Sequence, residues 1–214
     1  MMKKILLFLS ILVTFGSSCN RGTESAFLTI KLSFAFNGEE LLFDGHEYVT
    51  AAGDHITFDE IKFFISELSL RETIKQEKTS PLYNGPDEVH YFDSQIASTL
   101  TWEVKKPFEV KHYDLITMML GIAEERNITG MFTNPPEVNM AWPETLGGGY
   151  HHLQINGKWD NGGVITPFNI HTGKCAIRDE IGQFVRFINF DTPVRVPFPG
   201  YYYFRDDTRE IHLV

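Results

Sequence analysis

Three histidines, a tryptophan and a methionine crowd the stretch from Met140 to His171: Met140, Trp142, His151, His152 and His171, with Cys175 shortly after. Imidazole suits copper, nickel or zinc at neutral pH, and a thioether or thiol suits Cu(I). If the chain binds a metal, it binds it here. His151 and His152 are adjacent, so on a strand they face opposite sides and share an ion only across a bulge. One of them can meet His171 across a hairpin, where opposed Cβ atoms stand about 4.5–5.5 Å apart. The plainer reading of each residue stays open. His151 packs against Leu153 and Ile155 and donates to backbone, His171 ties down the Thr172-Gly173 turn, and Met140 fills a core gap. Trp142, next to Pro143, caps the mouth of the fold, and Cys175 is a buried free thiol.

The segments that must position these residues read as strands. Phe27 to Phe36 alternates, with Leu28, Ile30, Leu32, Phe34 and Phe36 on one side, and Asn37-Gly38 turns the chain so that Leu41 to Phe43 pairs back. Ile56 to Arg71 is the central strand. Glu72 to Asp87 is a polar loop. Tyr91-Phe92-Asp93 is a strand end, and Ser94 to Leu100 is a helical turn or a loop. Phe108 to Leu120 is apolar on both faces, as a strand buried between layers is. Gly121 to Asn139 is loop. Tyr150 to Ile155, Val164 to His171, Gln183 to Phe190 and Thr192 to Phe198 complete the set. Many short strands with frequent turns mark an all-β sandwich or barrel. The run from Arg209 to Val214 reads as a strand that stops abruptly, as in a chain cut short.

The 214 residues, 43% hydrophobic and 22% charged, suit one core. A formal charge of −9 argues against nucleic acid and against anionic lipid as partners. There is no phosphate-binding glycine loop, no serine nucleophile elbow and no His-Glu-x-x-His helix. The acidic pairs Glu124-Glu125 and Asp206-Asp207 fall in turns and read as solvated. The expectation is a binding protein, not an enzyme.

Lys3 and Lys4 precede an apolar run from Ile5 to Phe15, too short to span a bilayer and suited to a signal peptide. It ends in Gly16-Ser17-Ser18-Cys19, which resembles the bacterial lipobox, whose cysteine is lipidated. Residues 1–19 are then a lipoprotein signal, 20–26 a tether and 27–214 one domain. Asn20 after the cysteine points to the outer membrane, with the domain facing the periplasm or the surface. With Cys19 acylated, Cys175 has no partner for an internal disulfide.

Several segments coincide with one family. Asp59 to Ser66, His46-Glu47-Tyr48 with Gly53-Asp54, and Leu120-Gly121-Ile122 with Asn127 resemble its strands and loops. So do Met140-Ala141-Trp142, Gly149-Tyr150-His151, Asn156-Gly157 and His171-Thr172-Gly173. In that order and spacing they resemble the MbnP-like copper-binding domains. The resemblance implies an antiparallel β-sandwich, Ig-like or jelly-roll-like with long loops, in the periplasm or at the outer membrane. It also implies copper held by histidine and by a tryptophan oxidised to kynurenine, made by a di-haem peroxidase partner. His151, His171 and Trp142 would form that site, with His152 and Met140 as lesser candidates. Phe36 stands where copper-binding members carry a first-strand histidine, and Pro143-Glu144 replaces a second tryptophan. A rival expectation is a surface interaction or carbohydrate-binding module, using Trp159 and the Tyr201-Tyr202-Tyr203-Phe204 run.

Overall fold

The computed structural model describes residues 25–71, 89–110, 112–203 and 208–213. The signal segment with Cys19, the loop of residues 72–88, and Phe204 with the Asp206-Asp207 pair lie outside the described residues. Fourteen strands and three short 3-10 turns make up the described chain. The strands form mostly antiparallel sheets that do not close into a barrel, so the protein is an all-β sandwich. No helix among the described residues is long and apolar enough to cross a membrane.

One sheet is small. Its centre is β1 (Ser25–Leu32), flanked by β7 (Thr101–Glu109) running antiparallel and β14 (Thr208–Leu213) running parallel. The larger sheet has the order β10 (Ile165–Thr172), β9 (Leu153–Asp160), β5 (His55–Arg71), β8 (His112–Leu120), β13 (Thr192–Tyr203). Two short strands, β4 (Tyr48–Val49) and β6 (His90–Asp93), also pair with β5. The hairpin β2 (Ala35–Phe36) to β3 (Glu39–Glu40) turns at Asn37-Gly38, both with positive φ. A second hairpin joins β11 (Cys175–Arg178) to β12 (Phe184–Ile188).

The main core lies between the two sheets. β1 contributes Ala26, Leu28 and Ile30, and β7 contributes Trp102, Val104 and Phe108. They meet Phe63, Ile65, Leu68 and Leu70 of β5 and Ile116 and Met118 of β8. Each fully buried aliphatic or aromatic side chain contributes about 1.5–3 kcal/mol. The inward positions of β5 switch parity between Ile65 and Leu68. A register shift there, with Glu67 at φ 53, inserts the extra residue that a β-bulge requires.

Two expectations about elements need correction. Phe108 to Leu120 is not one strand. Phe108 belongs to β7 in the small sheet, which ends at Glu109, and the chain then crosses to the large sheet as β8. The alternation of buried Trp102, Val104 and Phe108 with exposed Glu103 and Lys105 carries β7, and Lys106-Pro107 within it obscured the pattern. Likewise β9 begins at Leu153 rather than Tyr150, so His151 and His152 precede the strand.

The outer face of the large sheet carries a second core of Phe64, Tyr91, Ile122, Met140 and Tyr150. The loop of residues 121–152 covers it. Phe64 holds both ends of that loop through its backbone. Its carbonyl accepts from Gly121 N–H at 2.7 Å, and its N–H donates to the His152 carbonyl at 3.1 Å. Inside the loop, Phe132 stacks on Phe64 with ring centres 5.2 Å apart. The Tyr150 hydroxyl accepts from Phe132 N–H at 2.8 Å. The covering loop is therefore anchored at its ends and in its middle.

Candidate metal centre

The stretch from Met140 to His151 folds back on itself as a narrow ribbon. Ala141 bridges Tyr150, Trp142 N–H donates to the Gly149 carbonyl at 2.8 Å, and His151 N–H donates to the Met140 carbonyl at 2.7 Å. Gly149 has φ +83, and a Cβ there would meet Asn127 Oδ1 at 2.5 Å. Glycine is thus required both for the turn and for the close approach. The ribbon carries Trp142 and His151 to the edge of the covering loop, beside β10.

There the two residues meet His171. The His151 and Trp142 rings contact edge to face with centres 4.6 Å apart, and the His151 and His171 rings do so at 5.1 Å. The hairpin register pairs His171 with Gln154 and Thr172 with Leu153, so His151 reaches His171 from the loop and not across the ladder. Its ring also bonds a backbone carbonyl, that of Met140, as its plainer reading has it. Ile155 pairs with Ile61 and Ile170 within the sheet.

Hydrogen bonds settle the state of the His151 ring. Nδ1 lies 2.9 Å from the Met140 carbonyl, which can only accept. Nδ1 therefore carries the proton and Nε2 the lone pair. An imidazole tied to a backbone carbonyl in this way has the form that metal ligands take. Burial pushes the His151 pKa below its ordinary 6.5, and the neighbouring His171 lowers it further against the Met140 bond. Burial also lowers His171, with Glu60 and Lys62 acting in opposite senses. Both rings are neutral at pH 7, as coordination requires.

Met140 and His152 are placed elsewhere. The Met140 side chain has no exposed surface and lies among Phe64, Tyr91, Ile122 and Tyr150. It serves the site through its carbonyl rather than its sulfur. His152 is 1% exposed and lies so tightly beneath Gly121 that a Cβ on that glycine would overlap the ring. Its Nε2 faces Asn189 Oδ1 at 3.2 Å and Asn127 Nδ2 at 3.0 Å. Its Nδ1 is buried without a partner. Asn127 Oδ1 accepts from Tyr150 N–H at 2.7 Å, and Asn189 Nδ2 donates to the Ile122 carbonyl at 3.0 Å. His152 thus locks the base of the covering loop.

The remaining candidates also have definite places. Trp142 is partly exposed, donates from Nε1 to the Leu146 carbonyl at 3.0 Å, and lies over Gly173. Cys175 is exposed at the start of β11, not buried as its plainer reading has it. Phe36 is engaged by Tyr48 and Phe58, with ring centres 4.9 and 6.1 Å away. Trp159 is 37% exposed on β9. Of the other described histidines, His55 pairs with Glu47 at 2.7 Å, and His90 stacks on Trp102 and bonds the Thr99 carbonyl. Among the described residues, no group of three or more His, Cys, Asp or Glu side chains gathers as a metal site.

The family model MbnP matches residues 25–214, which span all the described residues. The chain belongs to the MbnP family. Its structure is similar to that of MbnP from Methylosinus trichosporium, with a TM-score of 0.53 at 12% identity, covering 85% of this chain and 73% of that one. At that identity the likeness is one of fold. No curated protein sequence matches the chain.

In this MbnP-family chain, polar residues beneath His171 complete the site, and the sequence patterns did not single them out as such. His171 Nε2 lies 2.7 Å from Asn156 Oδ1, and Asn156 Nδ2 donates to Glu60 Oε1 at 2.7 Å. Lys62 meets the other Glu60 oxygen at 2.8 Å. Gln154, 8% exposed, stands in register between Lys62 and His171. Asn156 appeared in the sequence only as half of an Asn-Gly pair, and Glu60 only as part of a strand. Their convergence depends on strand register, which the sequence pattern leaves open.

Proposed function

We propose that this MbnP-family protein holds or passes on copper in the cell envelope, without turnover. His151 and His171 supply the donor nitrogens and Trp142 stands beside them. One observation carries this reading: two neutral imidazoles from separate segments touch, 5.1 Å between centres, with an indole against one of them. Two imidazoles bound to one ion at about 2.0–2.1 Å hold their centres roughly 5–6 Å apart, so the separation suits a shared ion. Structural zinc calls for four ligands. Among the described residues no third titratable donor joins the two imidazoles, and such a pair better fits Cu(I), a d10 ion that accepts fewer than four ligands.

The remaining parts of the reading come from the family and the N-terminal residues. Cys19 is the lipidation site, and the anchor holds the domain at the outer membrane, facing the periplasm or the surface. Trp142 is the residue that a di-haem peroxidase-type partner would oxidise to kynurenine. Its partial exposure and edge contact with His151 favour that role. Calorimetric titration of metal-free protein with copper tests the function. Saturation near one ion per chain, lost when His151 and His171 are both replaced, is expected. Absence of saturable uptake overturns it. Intact mass of protein from its own host tests the oxidation of Trp142 and the lipid on Cys19.

A further inference from the structure

We propose that Asn156, itself held by Glu60, is the positioning residue that makes Nδ1 the copper-binding atom of His171. The inference rests on the copper reading of the His151–His171 pair and assigns which nitrogen does the work and what selects it.

The argument is a chain of forced choices across three neighbouring strands. Glu60 on β5 stands opposite Asn156 on β9 in the ladder. It does so because a register shift between Phe58 and Glu60 inserts Asp59 as an extra residue. A carboxylate can only accept. The 2.7 Å contact between Glu60 Oε1 and Asn156 is therefore made by the amide Nδ2, and the amide cannot flip without losing it. Lys62, 2.8 Å from Glu60 Oε2, holds the carboxylate in place from its own strand. With Nδ2 committed, Asn156 turns Oδ1 toward His171. That oxygen also only accepts, so the imidazole nitrogen 2.7 Å away, Nε2, must carry the proton. The lone pair of His171 is then left on Nδ1.

The two imidazoles are thus prepared in opposite senses. His151 is tied at Nδ1 and offers Nε2, whereas His171 is tied at Nε2 and offers Nδ1. Each is oriented by a neutral acceptor, a backbone carbonyl or an amide. Neither imidazole is paired directly with a carboxylate. The charge of Glu60 is one residue removed and is offset by Lys62. Outer partners of this kind change metal affinity by about 10–100-fold when they are removed.

The experiment compares Asn156→Ala, Glu60→Ala and Glu60→Gln with the wild-type protein. Long-range proton–nitrogen correlation spectra of the metal-free protein report the tautomer of each histidine ring. Competition for Cu(I) against a chromogenic chelator reports affinity. The wild-type spectrum is expected to show His171 protonated at Nε2 and His151 at Nδ1. Asn156→Ala and Glu60→Ala should mix the His171 tautomers, leave His151 unchanged, and weaken Cu(I) binding about 10–100-fold. Glu60→Gln keeps an acceptor for the Asn156 amide and should restore both readouts to within a few-fold. A residue that merely supports the sheet would lower the melting temperature without moving the tautomer. His171 protonated at Nδ1 in the wild type, or Asn156→Ala with unchanged tautomer and affinity, overturns the proposal. If the wild-type protein takes up no Cu(I), the copper reading fails and the assigned copper-binding atom falls with it. A fixed Nε2–H on His171 in the same spectra distinguishes that result from a failure of Asn156 to hold the ring.

Discussion

Gly173 lies directly against the indole of Trp142: a Cβ on the glycine would come within 2.6 Å of the ring. The indole has no room to move toward β10, and its own Nε1–H is fixed on the Leu146 carbonyl. Trp142 is thus held from two sides, at the angle that brings it to His151. Gly173→Ala should push the indole outward and cost about 1–3 kcal/mol of stability, as overpacking does. Thermal unfolding measures the cost. A copper titration should show weakened binding if the indole helps enclose the ion. Wild-type affinity with a displaced tryptophan emission would remove Trp142 from the site.

The three clustered histidines should separate cleanly by mutation. His171 is exposed, so His171→Ala should change stability by no more than about 0.5 kcal/mol while abolishing tight copper uptake. His152→Ala empties a buried site beneath Gly121 and removes one partner from the Asn127 amide and the Asn189 side-chain oxygen, which still hydrogen-bond each other at 3.1 Å. It should cost about 1–3 kcal/mol and leave copper stoichiometry unchanged wherever the protein is folded. Urea unfolding and copper titration on the same samples check both. Copper binding lost in His152→Ala but kept in His171→Ala would reverse the assignment.

The dependence on acid follows from burial. His151, His152 and His171 all have pKa values below the ordinary 6.5, with loss of solvation the largest cause in each. The unfolded chain therefore binds more protons than the folded one, and stability rises with pH where these groups titrate. Their contribution is complete above 6.5, declines as pH falls through 6.5, and levels off below the folded values. Urea midpoints at pH 7.5 and pH 5 should differ in that sense, and by less in His152→Ala than in the wild type. Because protons compete poorly for the depressed imidazoles, copper affinity should hold to lower pH than for free histidine.

How much of this was legible beforehand differs residue by residue. The meeting of His151, His171 and Trp142 was suggested by their clustering and by the family resemblance, although His151 reaches His171 from the covering loop and not across the hairpin. The fates of Met140 and His152 could not. A methionine next to a ribbon turn reads alike whether its sulfur or its carbonyl faces the site. His152 differs from His151 only in which side of the turn it takes, and Gly121 and Asn189, distant in sequence, decide that. Glu60 and Asn156 escaped notice because the bulge at Asp59 breaks the period of two that strand reading relies on. β7 was hidden by Lys106, a polar residue at the inward parity of Trp102, Val104 and Phe108, and by the proline that follows it.

Met140 offers the sharpest check on how the site is built. Its side chain is enclosed by Phe64, Tyr91, Ile122 and Tyr150, while its carbonyl accepts from both the backbone N–H and Nδ1 of His151. Only the carbonyl bears on the imidazole, and every residue type supplies one. Met140→Leu keeps the volume nearly constant, so it should cost less than about 1.5 kcal/mol and leave copper affinity within a few-fold of wild type. Met140→Ala empties part of the second core and should cost about 2–5 kcal/mol, loosening the ribbon that carries His151. Affinity should then fall in step with stability, not with loss of sulfur. If Met140→Leu alone abolishes binding while the melting temperature stays put, the thioether coordinates the ion, and the covering loop must open to let it do so.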